Sequence, residues 1–113
     1  MVTISDNTIK NVTGKTDNGT TYYGAAIQLT SAKTFTVTNN TISDVAVNAL
    51  HIYNGCAADS IVIKGNSISA AYLCWNEANY TNVTSSGNTL NITNAGKCVT
   101  KTEVISSTFT LNN

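Results

Sequence analysis

Few side chains in this 113-residue sequence can do chemistry. His51 is the only histidine, and Cys56, Cys74 and Cys98 are the only cysteines. The carboxylates are Asp6, Asp17, Asp44, Asp59, Glu77 and Glu103, and there is no Arg. Glycoside hydrolysis needs two carboxylates about 5–10 Å apart. No two of these fall in a pattern that puts them together, so no catalytic residue is assigned and an enzyme complete within this sequence is not expected. A zinc site needs closely spaced Cys and His ligands. The cysteines are 18 and 24 residues apart, so no metal or cofactor is expected. His51 lies between Leu50 and Ile52. In a strand it points away from the face those two share, which predicts an exposed surface residue.

The aromatic residues offer a second kind of chemistry. Tyr22, Tyr23, Tyr53, Trp75 and Tyr80 could stack on the rings of a bound polysaccharide. They could equally pack beneath loops as large apolar bodies, the favoured expectation. Cys74 and Cys98 could form a disulfide if the fold brings them onto neighbouring strands. The other reading is a pair of stacked, buried free thiols.

Composition limits the partners. The net charge is zero and Arg is absent, so the basic footprint that nucleic acid requires is missing. No apolar run approaches the ~20 residues of a membrane-spanning helix. With 42% hydrophobic and 11% charged residues, the chain can bury a core, which argues against disorder. Thr, Asn and Ser occur 19, 16 and 10 times. Thr favours strands and Asn favours turns, so a β-rich protein with recurring turns is expected. Met1–Asp6 carry neither the basic nor the apolar segment of a signal peptide.

The positioning elements come from an internal repeat. Val2–Ile9, Phe35–Ile42, Ile61–Ile68 and Val83–Leu90 align without gaps, and a fifth copy starts at Phe109. Positions one and three are apolar except for Ser85, and they alternate with Thr or Val, the pattern of a half-buried strand. Position five is Asp6, Asn39, Gly65 or Gly87. Only these residue types tolerate φ > 0 readily, so each strand should end in the same left-handed corner. Position six is Asn7, Asn40, Asn66 or Asn88. At a strand spacing of about 4.8 Å, such a column can pass amide hydrogen bonds from one repeat to the next. Position eight is apolar again. A further inward strand is expected at Ala26–Leu29 and Ala49–Ile52, with Tyr72–Cys74 and Lys97–Thr100 as its later counterparts.

Strand, left-handed corner, Asn and a second apolar strand make one rung of a solenoid. The pattern resembles the right-handed parallel β-helix of the pectate-lyase-like superfamily, from Val2 to Asn113. The resemblance implies an all-β, right-handed parallel β-helix, a solenoid of about four to five rungs. It forms a single domain over residues 1–113 with rungs starting near 2, 35, 61, 83 and 109. An antiparallel adhesin-type sandwich is the alternative. The superfamily's catalytic residues match no position here.

The rung starts are 33, 26, 22 and 26 residues apart. The long first interval predicts a protruding loop with Asp17-Asn18-Gly19 at its turn. Outward Thr and Ser, as in Thr3-x-Ser5, Thr36-x-Thr38 and Thr84-x-Ser86, could form a water-ordering array, although β-propensity alone accounts for Thr there. The sequence enters its first strand at Val2 and stops inside its fifth repeat, with no capping helix at either end. Solenoid ends need covering. The expected partners are therefore further copies stacked head to tail or the flanking rungs of a longer chain, with polysaccharide as another. A structural or adhesive role at the cell surface or outside the cell is expected. The alternative is a fragment of a carbohydrate-active or glycan-binding β-helix.

Overall fold

A computed structural model describes residues 1–17, 21–52, 60–76 and 83–93. Cys56, Cys98, Tyr53, Tyr80, Asp59, Glu77, Glu103, the segment 97–100 and the fifth repeat from Phe109 lie outside the described residues.

The described chain is all-β. Its strands are β1 (Val2–Ser5), β2 (Thr8–Val12), β3 (Lys15–Asp17), β4 (Thr21–Tyr23), β5 (Ala25–Leu29), β6 (Thr34–Thr38), β7 (Thr41–Ile52), β8 (Ser60–Lys64), β9 (Ser67–Asn76), β10 (Val83–Ser86) and β11 (Thr89–Ile92). Two sheets are parallel, in the orders β1-β6-β8-β10 and β11-β9-β7-β2, with β5 also pairing β7. Parallel pairing is incompatible with the antiparallel sandwich weighed from the sequence.

In the first sheet the alternating residues stack in register. Val2 pairs with Phe35, Phe35 with Ile61, and Ile61 with Val83. Ile4, Val37 and Ile63 form the next inward column. In the second sheet Ile9, Ile42, Ile68 and Leu90 stack in the same way. Phe35, Val37, Ile42, Ile61, Ile63 and Ile68 are buried, so the core fills the space that both sheets face. A fully buried side chain of this kind contributes about 1.5–3 kcal/mol.

The second sheet is less regular. Ile42 pairs with Ile68, Val45 with Ala70 and Asn48 with Tyr72, so three residues of β7 twice oppose two of β9. The first extra residue is Asp44, left-handed at φ 54°. Asn11 at φ 63° holds the equivalent position in β2, which stays in step with β7. Beyond the second shift, Asn48 to Ile52 are all buried. His51 is among them at 7% exposure, contrary to the exposed position expected from the sequence. Its place in the alternation is the expected one, opposite Leu50 and Ile52 and level with Gln28 and Trp75. β5 and β9 pair β7 on either side at this level.

The long first interval holds an antiparallel hairpin, with Lys15 opposite Tyr23 and Asp17 opposite Thr21. It leaves and rejoins the sheet through Gly14 and Gly24, both at positive φ. A Cβ on Gly24 would come within 3.3 Å of the Gly14 Cα, so the two ends of the hairpin abut.

Gly65 and Gly87 hold the corner position at φ +66° and +63°. A Cβ on Gly87 meets nothing closer than 3.8 Å, whereas one on Gly65 would lie 2.6 Å from the Asn39 Oδ1. Gly87→Ala and Gly65→Ala should therefore both cost mainly the left-handed penalty, about 1 kcal/mol, since Asn39 is exposed and its Oδ1 can turn aside. Denaturant midpoints of the two variants check this; a much larger shift for Gly65→Ala would show that the Asn39 side chain cannot move.

Candidate functional site

The corner between the two sheets is built identically four times. Asp6, Asn39, Gly65 and Gly87 sit at φ 58°, 56°, 66° and 63°, which turns the chain at the end of β1, β6, β8 and β10. The corner N–H still pairs with the following repeat: Asp6 donates to the Thr38 carbonyl, Asn39 to Lys64 and Gly65 to Ser86, at 3.0–3.2 Å. The next residue is always Asn, and its side chain replaces the backbone ladder where the strands break.

Asn40 shows the full pattern. Its backbone N–H and its Nδ2 both donate to the Asn66 Oδ1, at 2.9 and 3.0 Å. Nδ2 also donates backwards to the Ile4 carbonyl at 2.9 Å, and Oδ1 accepts two bonds from Asn7. Asn66 repeats this, donating to the Asn88 Oδ1 and the Val37 carbonyl. The Asn88 Nδ2 donates to the Ile63 carbonyl. Asn40, Asn66 and Asn88 are each 1% exposed, and a buried amide is tolerated only when its bonds are made. Here the Asn40 and Asn66 amides each bond across both of their repeat boundaries.

The column has a direction. The N–H groups of Asp6, Asn39 and Gly65 point towards the C-terminal repeat, and the Oδ1 atoms of Asn40, Asn66 and Asn88 towards the N-terminal one. Asn7, at the N-terminal edge, is exposed. Its Nδ2 still donates to the Asn40 Oδ1, but its second donation folds back to the Ser5 carbonyl of its own strand, at 3.0 Å. Among the described residues no strand pairs with the other side of β1 or β2.

Two other surfaces flank this scaffold. The outward column of the first sheet runs Thr3, Thr36, Val62, Thr84, so its hydroxyls are interrupted. The second sheet has an uninterrupted one: Thr8, Thr41, Ser67 and Thr89 are in register and all exposed. Sequence reasoning missed it, although the seventh residue of every complete repeat is Thr or Ser. An open depression of about 360 Å³ lies beside the first β7 bulge, with Asp44, Ser69 and Thr93 among its lining residues. Among the described residues that line it Asp44 is the one carboxylate, whereas general acid–base hydrolysis of a glycoside takes two. No three metal-ligating side chains come together among the described residues.

Of the aromatic candidates, Tyr22 and Tyr23 lie on β4 of the hairpin and Trp75 near the end of β9. These are separate places in the topology. Cys74 pairs with Leu50 in register. Asn48, also missed, is wholly buried and its Nδ2 donates to the Gly24 carbonyl, tying the hairpin base to β7. The break of alternation at Val47-Asn48-Ala49 is its one sequence signal. Comparison with family models, with curated proteins and with solved structures gives no match.

Proposed function

We propose that the chain is a structural or adhesive module, a short right-handed parallel β-helix of the pectate-lyase-like kind whose repeats stack along one axis. The observation that carries this reading is the corner column, in which the N–H and Nδ2 of each column Asn from Asn7 to Asn66 donate to the Asn Oδ1 of the following repeat. Such a device serves continuation of a stack and has no reacting group. The low charge and the Thr, Ser and Asn surface suit contact with polymers outside the cell or at its surface. Further copies, or flanking rungs of a longer chain, are the natural partners.

Sizing across a dilution series, with negative-stain imaging of the same samples, tests this. Concentration-dependent oligomers or fibres are expected. A monomer at every concentration would remove self-stacking from the reading.

The depression beside Asp44 and the Tyr-bearing hairpin favour a second reading, a polysaccharide-binding or carbohydrate-active fragment. It predicts a change in Trp75 fluorescence on adding polysaccharide, and new reducing ends or unsaturated products if the fragment is catalytic.

A further inference from the structure

Resting on the second, polysaccharide-binding reading, we infer that the depression beside the first β7 bulge binds an amino sugar, with the Asp44 carboxylate holding its ammonium group. The depression follows from the register of the two central strands. Ile42 pairs with Ile68 and Val45 with Ala70, so Ser43 and Asp44 face the single Ser69. A bulge of this kind re-aims a side chain, and the left-handed Asp44 is exposed. Around it the chain supplies only short side chains, Ala46, Ser69, Ala70, Ala71 and Thr93 among them. The space they leave is about 360 Å³, at the small end of the roughly 300–1,000 Å³ of ligand sites. That is room for one sugar unit. β2 pairs β7 and β11 pairs β9, so the floor lies within the sheet and not at its edge.

The fold does not demand the charge of Asp44. Asn11 holds the same left-handed position in β2, level with Asp44, so the bulge forms equally well around a neutral amide. Asp and Asn share the tolerance of φ > 0. What Asp44 adds is a negative charge, and none of the other described lining residues is charged. Lys10, on the neighbouring strand, is level with Ser43 and does not line the depression. A lone carboxylate in an otherwise neutral depression attracts a cation and repels an acid. A uronate unit is therefore disfavoured, and a neutral sugar leaves the charge unused. An amino sugar uses every part of the site. Its ammonium donates to the Asp44 carboxylate, its hydroxyls exchange bonds with Ser69 and Thr93, and one ring face rests on the methyl groups of Ala70 and Ala71.

Chemical-shift titration of the full chain tests this with short oligomers of glucosamine, N-acetylglucosamine and galacturonate. Spermine serves as a cation without a sugar ring. Glucosamine oligomers should move the amide signals of Asp44, Ser69 and Ala70, with an affinity that falls as salt is added. Asp44→Asn, for which Asn11 is the precedent, should weaken this binding about fivefold, the scale of one exposed ion pair. Circular dichroism checks that the variant folds. N-acetylation removes the ammonium and should weaken binding at least as much, and galacturonate should not bind here. Unchanged affinity in Asp44→Asn would overturn the inference, as would spermine binding as tightly as the amino sugar. If N-acetylglucosamine or galacturonate binds as tightly as glucosamine, or if glucosamine moves signals only elsewhere, polysaccharide binding stands and this inference fails alone. A chain that binds none of the three oligomers removes both.

Discussion

Replacing Asn66 by Ala should destabilise the protein by roughly 3–5 kcal/mol, far more than the same change at Asn7. The Asn66 side chain makes four hydrogen bonds: two accepted from Asn40 and one donated to each of Asn88 and Val37. Its loss takes this partner from the Asn40 N–H and the Val37 carbonyl, and one of two bonds from the Asn40 Nδ2 and the Asn88 Oδ1, in a place water does not reach. Each orphaned buried group costs about 1–3 kcal/mol, with incomplete additivity. Ala also lacks the volume to close the gap. Asn7 is exposed, and on its truncation the Asn40 Oδ1 keeps the Asn7 backbone N–H, so Asn7→Ala should cost about 1 kcal/mol. Unfolding in urea, with unchanged slopes, measures both. Equal shifts would mean that the amide column carries no stability. A loss of the expected size is a large share of the 5–15 kcal/mol typical of a domain.

The parallel, all-β character is legible because three constraints recur together. The inward positions must be apolar, the corner must accept φ > 0, and the residue after it must both donate and accept. Asn is the side chain that does both over the short distance from corner to corner. The four aligned segments pair in the order and register of their alignment, since a slip of one residue would turn every inward side chain outward. The second sheet is less legible because its register is not constant. Asp44 and the Val45–Asn48 interval each insert a residue into β7 relative to β9. Parity counted from Ile42 therefore fails at Val45 and Val47 and returns at Asn48, and alternation alone places His51 opposite Leu50 and Ile52 without showing that it is buried. The hairpin was visible as surplus length between Gly14 and Gly24. That the two glycines abut depends on contacts between residues ten apart, which no local pattern encodes. The hydroxyl column on the second sheet was overlooked for a different reason: Thr after Asn reads as ordinary strand propensity until its register is known.

A second large effect is expected at Ile63, which should lose about 2–5 kcal/mol as Ile63→Ala. Ile63 is fully buried in β8, with Val37 on one side of its column and Ser85 on the other. Ser85 is the only polar residue in that column, so Ile63 has a small neighbour and no surplus apolar bulk from which to refill the space a truncation leaves. The cavity term therefore adds in full to the lost transfer energy. Ile4 occupies the same column at the β1 edge and is only half-buried. Ile4→Ala removes less surface from the core and opens no enclosed void, so its cost should be less than half that at Ile63. In a one-dimensional stack the two variants should also differ in the shape of their unfolding. Weakening an interior repeat lowers the coupling on both of its sides, whereas weakening an edge repeat frays that edge first. Hydrogen exchange resolves this: Ile4→Ala should lose protection in β1 while β8 keeps its own, and Ile63→Ala should lower protection in β6, β8 and β10 together. Uniform loss in both variants would mean that the repeats unfold as one unit and that position along the stack has no energetic meaning.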